Sequence, residues 1–183
     1  MARAPSLAGV VLAGGKSSRF GRDKAQEAWR GRRLIDWSIA ALAPYCETIF
    51  VAGRHHSSCE SVADRPRAGL GPLGGLAGAL AAARERGYEH ILSLPCDTPH
   101  VPPDLLRRLS KRSGAAFVAS CPVIGVWPCA DADLLAAWLE SGQTSAVRAW
   151  TQTIGAEPVE VAEPIININR IADLERLETQ FPR

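Results

Sequence analysis

The chain has 183 residues, enough for one large domain. Hydrophobic residues make up 46% and charged residues 22%, which excludes a chain that is disordered throughout. The 21 Lys and Arg residues nearly balance the 19 Asp and Glu residues, and the net charge is only +2. Because no basic block stands out, we expect no nucleic-acid partner. No apolar stretch approaches the roughly 20 residues that cross a membrane, so we expect no membrane association either.

Cysteine and histidine positions bear on the compartment and on metal binding. The five cysteines are scattered, and no two of them have CxxC spacing. Free, scattered thiols and an N-terminus without the regions of a signal peptide are typical of a cytoplasmic protein. The segment at 55–60, which contains His55, His56, Cys59 and Glu60, has no common metal-ligand spacing. We interpret it as a solvated loop.

The first half of the chain alternates between predicted strands and helices. The apolar run at 7–13 stops at Gly14-Gly15, which predicts a strand that is buried on both faces. The elements that follow are helix 34–42, strand 47–52, helix 71–86, strand 90–94 and a helix from Pro102. This alternation predicts a three-layer, doubly wound α/β fold around a mostly parallel sheet.

The second half continues with shorter elements. Its predicted elements are strands 115–119 and 124–127, helices 131–139 and 145–151, strand 157–161 and helix 171–180. No internal repeat or long linker interrupts the chain, so we expect a single domain over residues 1–183. Within helix 71–86, the small residues Gly74, Gly75 and Gly78 would let the helix approach a sheet or a ligand closely.

The first loop, at 12–24, follows the first predicted strand directly. In an open α/β sheet, ligands bind at the carboxyl ends of the strands. Its glycines let the backbone turn tightly and bring N–H groups close to an anion. Arg19 and Lys24 add two positive charges. Such a loop suits a triphosphate, although its spacing matches neither a P-loop nor GxGxxG.

Asp97 follows the third predicted strand, between Pro95 and Pro99. A carboxylate in this position is well placed to hold a divalent cation, and Mg²⁺ is commonly bound by one or two carboxylates together with substrate phosphates. The alternative, an N-cap for the next helix, is less natural because five residues separate Asp97 from Pro102.

Four segments together resemble the molybdenum cofactor guanylyltransferases, which belong to the Rossmann-like nucleotidyltransferases with a GT-A-like α/β fold. These segments are LAGGKSSRFGRDKA (12–25), GPLGGLAGAL (71–80), LPCDTPHVPPDLLRRL (94–109) and IININRIADLERLE (165–178). The resemblance covers nearly the whole chain. It implies an enzyme that transfers GMP from GTP to molybdopterin, with Mg²⁺ as cofactor and pyrophosphate as the second product. It also suggests molybdoenzyme-maturation proteins as partners.

The resemblance assigns roles to individual residues. Together with the loop chemistry above, it implies that nucleotide contacts come from Leu12, Ala13, Gly14, Gly15, Lys24, Asp64 and Asp97. The catalytic candidates are Arg19, from the charge of the loop, and Lys24 and Asp97, which also match family positions. The two cations would neutralise the leaving pyrophosphate. Asp97 and Asn169 would be metal ligands, and Asn167 and Asn169 would bind the acceptor.

The sequence departs from the family pattern at four places. Phe20 replaces the usual Met of the first loop, which is a conservative change. The second strand ends in Val51-Ala52-Gly53, where the family often has Asn, so a nucleotide contact is missing or made by the backbone. The closing motif has Asn169-Arg170-Ile171 in place of Asn-Thr-Pro, and the region around 121–128 is short. These departures keep three alternatives open: a transferase that uses CTP, one with a sugar-1-phosphate acceptor, and a nucleotide-binding regulator without turnover.

Overall fold

The computed structural model describes residues 6–14 and 24–180, apart from the side chains of Lys24 and Ile171. Within these ranges, the strands are β1 Leu7–Leu12, β2 Ala28–Trp29, β3 Arg32–Arg33, β4 Thr48–Ala52, β5 Glu60–Val62, β6 His90–Pro95, β7 Ala116–Val118, β8 Cys121–Pro128 and β9 Glu157–Val159. The helices are α1 Leu34–Leu42, α2 Gly71–Glu85, α3 Pro103–Ser110, α4 Ala132–Glu140, α5 Val147–Thr153 and α6 Ile171–Gln180, and a short 3-10 helix covers Lys24–Gln26.

In the described part of the chain, seven strands form one sheet in the order β5-β4-β1-β6-β8-β7-β9. The four strands on the β5 side are mutually parallel, whereas β8 is antiparallel to both of its neighbours. β7 and β9 pair in parallel. The prediction of a mostly parallel α/β sheet is therefore confirmed, with the reversal at β8 as its exception.

Helices cover both faces of the sheet, and alternate residues of β1 show how. Val10 packs into a cluster with side chains of α2, α4 and α5, and Val11 packs into a second cluster with side chains of α1 and α3. Both valines are fully buried, since successive side chains of a strand point to opposite faces. This confirms the predicted three layers and a first strand that is buried on both sides.

Helix α6 packs beside the sheet rather than on the main clusters. Its Leu177 joins Trp29, Leu34, Ile166 and Ile168 in a third apolar cluster. The cluster anchors the segment 165–170 between the β2–β3 hairpin and the end of the sheet. The hairpin and β5 are absent from our prediction, because short polar segments such as Arg32–Arg33 and Glu60–Val62 carry no apolar pattern. The equally short β7 and β9 lie within predicted strands.

His56 corrects the prediction of a solvated loop at 55–60. Its side chain is 5% exposed, and the ring accepts a hydrogen bond at Nδ1 from the backbone N–H of Ser58. Its Nε2–H donates to Asp36 Oδ1 over 2.9 Å, and Arg33 binds the same carboxylate through two nitrogens. The sequence conceals this network because Asp36 lies twenty positions away, on α1.

Within the described ranges, no helix combines the length and the apolar character needed to cross a membrane.

Candidate active site

A cleft of about 210 Å³ opens where β1, β4 and β6 end. The register pairs Leu12 of β1 with Ala52 on one side and with Pro95 on the other, so these three strands end side by side. Five of the residues predicted to bind the nucleotide, metal or acceptor line the cleft, namely Leu12, Gly14, Asp64, Asp97 and Asn167. Segments that are far apart in the chain thus meet at one edge of the sheet, as expected for parallel strands.

The first loop leaves β1 in close backbone contact with the end of β4. Ala13 is buried and donates its N–H to the carbonyl of Ala52 over 2.9 Å. Gly53 has φ +86, and a Cβ on it would collide with the backbone of Gly14. Glycine at position 53 therefore sets the path of the loop. Gly15, Arg19 and the side chain of Lys24, which the sequence also assigns to this loop, lie outside the described residues.

Asp64 reaches the cleft because α2 presents a face of glycines to it. A Cβ on Gly78 would collide with the carbonyl oxygen of Ala63, and one on Gly74 would lie 3.3 Å from Asp64 Cβ and Cγ. The close approach predicted for this helix is confirmed, and it serves the segment 63–64. Asp64 Oδ2 accepts a hydrogen bond from the Gly69 N–H at 3.2 Å, which orients the carboxylate.

Asp97 lies just beyond β6 and is tied to the last loop before α6. Its carbonyl oxygen accepts the Ile168 N–H over 2.8 Å. The next residue, Thr98, is 1% exposed and donates its hydroxyl to Asn167 Oδ1 over 2.7 Å. These two bonds hold Asn167 beside Asp97 in the cleft.

Asn169 is placed differently from Asn167. It is exposed and is not among the residues that line the cleft, and its backbone N–H donates to Asp173 Oδ2 over 2.8 Å. Arg170 donates its N–H to the same oxygen, so Asp173 caps the start of α6. The metal and acceptor roles of Asn169 remain predictions.

The structure adds Cys121 to the cleft. The register that pairs Ser93 with Gly125 brings Cys121, the first residue of β8, level with Asp97. Its thiol lies 3.7 Å from Asn167 Nδ2. Burial raises the pKa of the Cys121 thiol, and the negative charge of Asp97 acts in the same direction. A raised pKa favours the protonated thiol, which is a poorer nucleophile than the thiolate.

Arg54 is a cation that the sequence analysis missed. It follows Gly53 and donates from Nε to the carbonyl of Ala13 over 3.2 Å. It also lines a second, open cavity of about 760 Å³ that shares Gly14, Asp64 and Gly71 with the cleft. A positive charge directly after the carboxyl end of a strand is the signal that could have identified it.

The donors in the cleft suit a hard divalent cation. Its acidic side chains are Asp64 and Asp97, which offer carboxylate oxygens. No group of three or more His, Cys, Asp and Glu side chains is gathered as a metal site within 6–14 and 24–180. A cation there would depend on one or two carboxylates and on ligand oxygens, which is how Mg²⁺ is usually held with phosphates.

Comparisons with known proteins agree with this geometry. Residues 9–159 match the family described as MobA-like NTP transferase domain. A molybdenum cofactor guanylyltransferase of Cereibacter sphaeroides is 34% identical, with 94% of this chain and 96% of that protein covered. One of Rhizobium meliloti is 33% identical over 100% of this chain and 97% of its own length.

A solved structure supports the fold. Molybdopterin-guanine dinucleotide biosynthesis protein A from Archaeoglobus fulgidus superposes with a TM-score of 0.76 at 21% identity, covering 94% of this chain and 97% of that one. By sequence, the chain belongs to the MobA-like NTP transferase family and, within it, to the molybdenum cofactor guanylyltransferases.

Proposed function

We propose that the chain transfers GMP from GTP to molybdopterin, forming molybdopterin guanine dinucleotide and pyrophosphate with the help of Mg²⁺. The observation that carries this proposal is the convergence of Gly14, Asp64, Asp97 and Asn167 on one cleft at the carboxyl edge of the sheet. The names of the relatives, guanylyltransferases at 33–34% identity over nearly the whole chain, support GTP as the donor.

The nucleotide would occupy the cleft and the adjoining cavity. Together they have the size of an ordinary ligand site, and they share Gly14 and Asp64. Backbone N–H groups of Gly14 and Gly15 would bind phosphate oxygens, with Leu12 and Ala13 shaping the loop. Asp64 would accept hydrogen bonds from the guanine N1–H and amino group or from the ribose.

The reaction needs positioning and charge neutralisation more than proton transfer. A phosphate oxygen of molybdopterin bonds to the α-phosphorus of GTP, the bond from that phosphorus to the β-phosphate bridging oxygen breaks, and pyrophosphate leaves with the electron pair. Because the attacking oxygen is already anionic, no general base is required. The cleft agrees with this, since its described lining contains no His or Glu.

Other predicted site residues would bind Mg²⁺, neutralise the leaving pyrophosphate and bind the acceptor. Asp97, with Asn169 as the second predicted ligand, would hold Mg²⁺, which supplies charge neutralisation to the phosphates when bound. Arg19 and Lys24 would neutralise the leaving pyrophosphate. Asn167, and by the resemblance Asn169, would bind the acceptor beside Asp97.

The proposal extends to the setting of the reaction. We infer a single nucleotidyltransferase domain over residues 1–183, supported by one sheet that runs from β1 to β9. We also infer a cytoplasmic enzyme that works with molybdoenzyme-maturation proteins and has no nucleic-acid partner. The scattered free cysteines and the near-balanced charge support these inferences.

The experiment is a pyrophosphate-release assay with Mg²⁺, each of the four nucleoside triphosphates, and either molybdopterin or a sugar 1-phosphate as acceptor. We expect release with GTP and molybdopterin, and loss of release when the metal is chelated. Release with CTP alone would identify the cytidylyl alternative, and release with a sugar 1-phosphate would change the acceptor. If GTP binds but no pyrophosphate is released with either acceptor, the protein is better described as the nucleotide-binding regulator.

A further inference from the structure

Two neighbouring residues after β6 bind two neighbouring residues of the last loop. Asp97 accepts the Ile168 N–H through its backbone carbonyl over 2.8 Å, and Thr98 donates its hydroxyl to Asn167 Oδ1 over 2.7 Å. The first bond survives any side-chain substitution, whereas the second depends on the Thr98 hydroxyl. Thr98 is 1% exposed, so water cannot easily replace that hydroxyl.

The second bond decides which end of the Asn167 amide is available. An amide side chain offers one oxygen acceptor and an NH₂ donor. The separation of 2.7 Å is typical of an O–H···O bond, which assigns the oxygen to Thr98. The Cys121 sulfur is nearly equidistant from the two ends of the amide, 3.8 Å from Oδ1 and 3.7 Å from Nδ2, so the short bond to Thr98 is the contact that sets the orientation. Because sulfur is a weak acceptor, the NH₂ group keeps donor capacity for a ligand in the cleft.

We propose that Thr98 is a positioning residue that holds the Asn167 amide with its NH₂ group toward the acceptor. This inference rests on the proposed function and adds to it the orientation of the Asn167 side-chain amide. With its oxygen held by Thr98, Asn167 donates through its NH₂ group to an anionic oxygen of the acceptor phosphate. Since Asp97 is tied to the same loop, the attacking group is held at a fixed distance from the carboxylate that serves the nucleotide.

The test compares Thr98→Val, Thr98→Ser and Thr151→Val. Valine keeps the shape of threonine but removes the hydroxyl, and serine keeps the hydroxyl. Thr151 is a matched control, because it is 2% exposed and its hydroxyl binds the carbonyl of Arg148 within α5. We expect Thr98→Val to raise the KM for molybdopterin about tenfold with the KM for GTP nearly unchanged. Thr98→Ser and Thr151→Val should stay within about threefold of the starting protein.

A second measurement does not depend on turnover. The side-chain amide resonances of Asn167, assigned by their absence in Asn167→Ala, should shift in Thr98→Val and stay near their original positions in Thr98→Ser. Unchanged Asn167 resonances in folded Thr98→Val overturn the positioning role, and so does an unchanged KM for molybdopterin. If the starting protein releases no pyrophosphate with GTP and molybdopterin, the proposed function fails, and the resonances alone decide whether Thr98 orients Asn167.

Discussion

Gly78 of α2 lies so close to Ala63 that no side chain fits between the helix and the Ala63 carbonyl oxygen. The contact places the following residue, Asp64, against the glycines of the helix and at the wall of the cleft. The position of the Asp64 carboxylate therefore depends on the absence of a Cβ at Gly78, fourteen positions further along the chain.

Substitution Gly78→Ala should separate helix stability from cleft geometry. Alanine is favoured over glycine in a helix by about 1 kcal/mol, but overpacking against a backbone carbonyl costs about 1–3 kcal/mol. We expect a lower free energy of unfolding and an affinity for GTP that falls about tenfold, measured by denaturant unfolding and calorimetry. Gly114→Ala is the control, since a Cβ there meets nothing within 4 Å. Equal GTP affinity in folded Gly78→Ala would show that this contact does not position Asp64.

Substitution Asp97→Asn should abolish metal-dependent turnover without disturbing the fold. The backbone bond from Ile168 to the Asp97 carbonyl is retained in the variant. We expect pyrophosphate release to fall at least ~100-fold, with the melting temperature nearly unchanged. Asp104→Asn, at an exposed position in the first turn of α3 where the carboxylate pairs with Arg107, should leave turnover as it was. Full activity of Asp97→Asn would remove this carboxylate from the mechanism.

Substitution of Arg54 should weaken nucleotide binding. Its Nε supports the Ala13 carbonyl at the first loop, and its side chain lines the second cavity. We expect Arg54→Ala to raise the KM for GTP about tenfold, and Arg54→Lys, which keeps the charge but loses the Nε donor, to have an intermediate effect. If the alanine variant binds GTP as well as the starting protein does, Arg54 has a structural role alone.

Asp36 should contribute stability that depends on pH. Burial by itself would raise the pKa of Asp36, but hydrogen bonds from Arg33 and His56 and their charges outweigh it, and the pKa is lowered from its ordinary value of 3.8. A carboxyl group whose folded-state pKa is lowered stabilises the fold above its unfolded pKa, and that contribution is lost as the pH falls through the folded value.

The corresponding variant is Asp36→Asn. At pH 7 we expect its free energy of unfolding to be lower by about 1–2 kcal/mol, because hydrogen bonds to a charged group are replaced by weaker ones. The difference should shrink as the pH is lowered below about 4, where the unfolded chain already binds the proton. Urea unfolding between pH 3 and pH 7 tests this, and a difference independent of pH would contradict the charge-based explanation.

The long elements of the fold could be predicted from the sequence because their patterns are local. Helix α1 has the predicted bounds, and β1 ends one residue before the predicted position. The convergence of Gly14 and Asp97 on one cleft also follows from local pattern, since both residues come directly after strands that are parallel.

Other features depend on contacts that no local pattern contains. Cys121 enters the cleft because β8 runs antiparallel to β6, and the register of that pair is set by the packed core. The burial of His56 depends on Asp36 of α1, and the orientation of Asn167 depends on Thr98, sixty-nine positions away. Each is a pairing between distant segments, which only the assembled sheet defines.

The reversal of β8 has a consequence for how this enzyme family can diversify. Because β8 begins where β6 ends, the two-residue connection from β7 to β8, residues 119–120, lies at the rim of the cleft rather than at the opposite edge of the sheet. Surface connections tolerate added residues far better than strands do. A longer turn would add a wall to the cleft beside Cys121 while leaving Gly14 and Asp64 in place, so the shape of the cleft can change on this side alone.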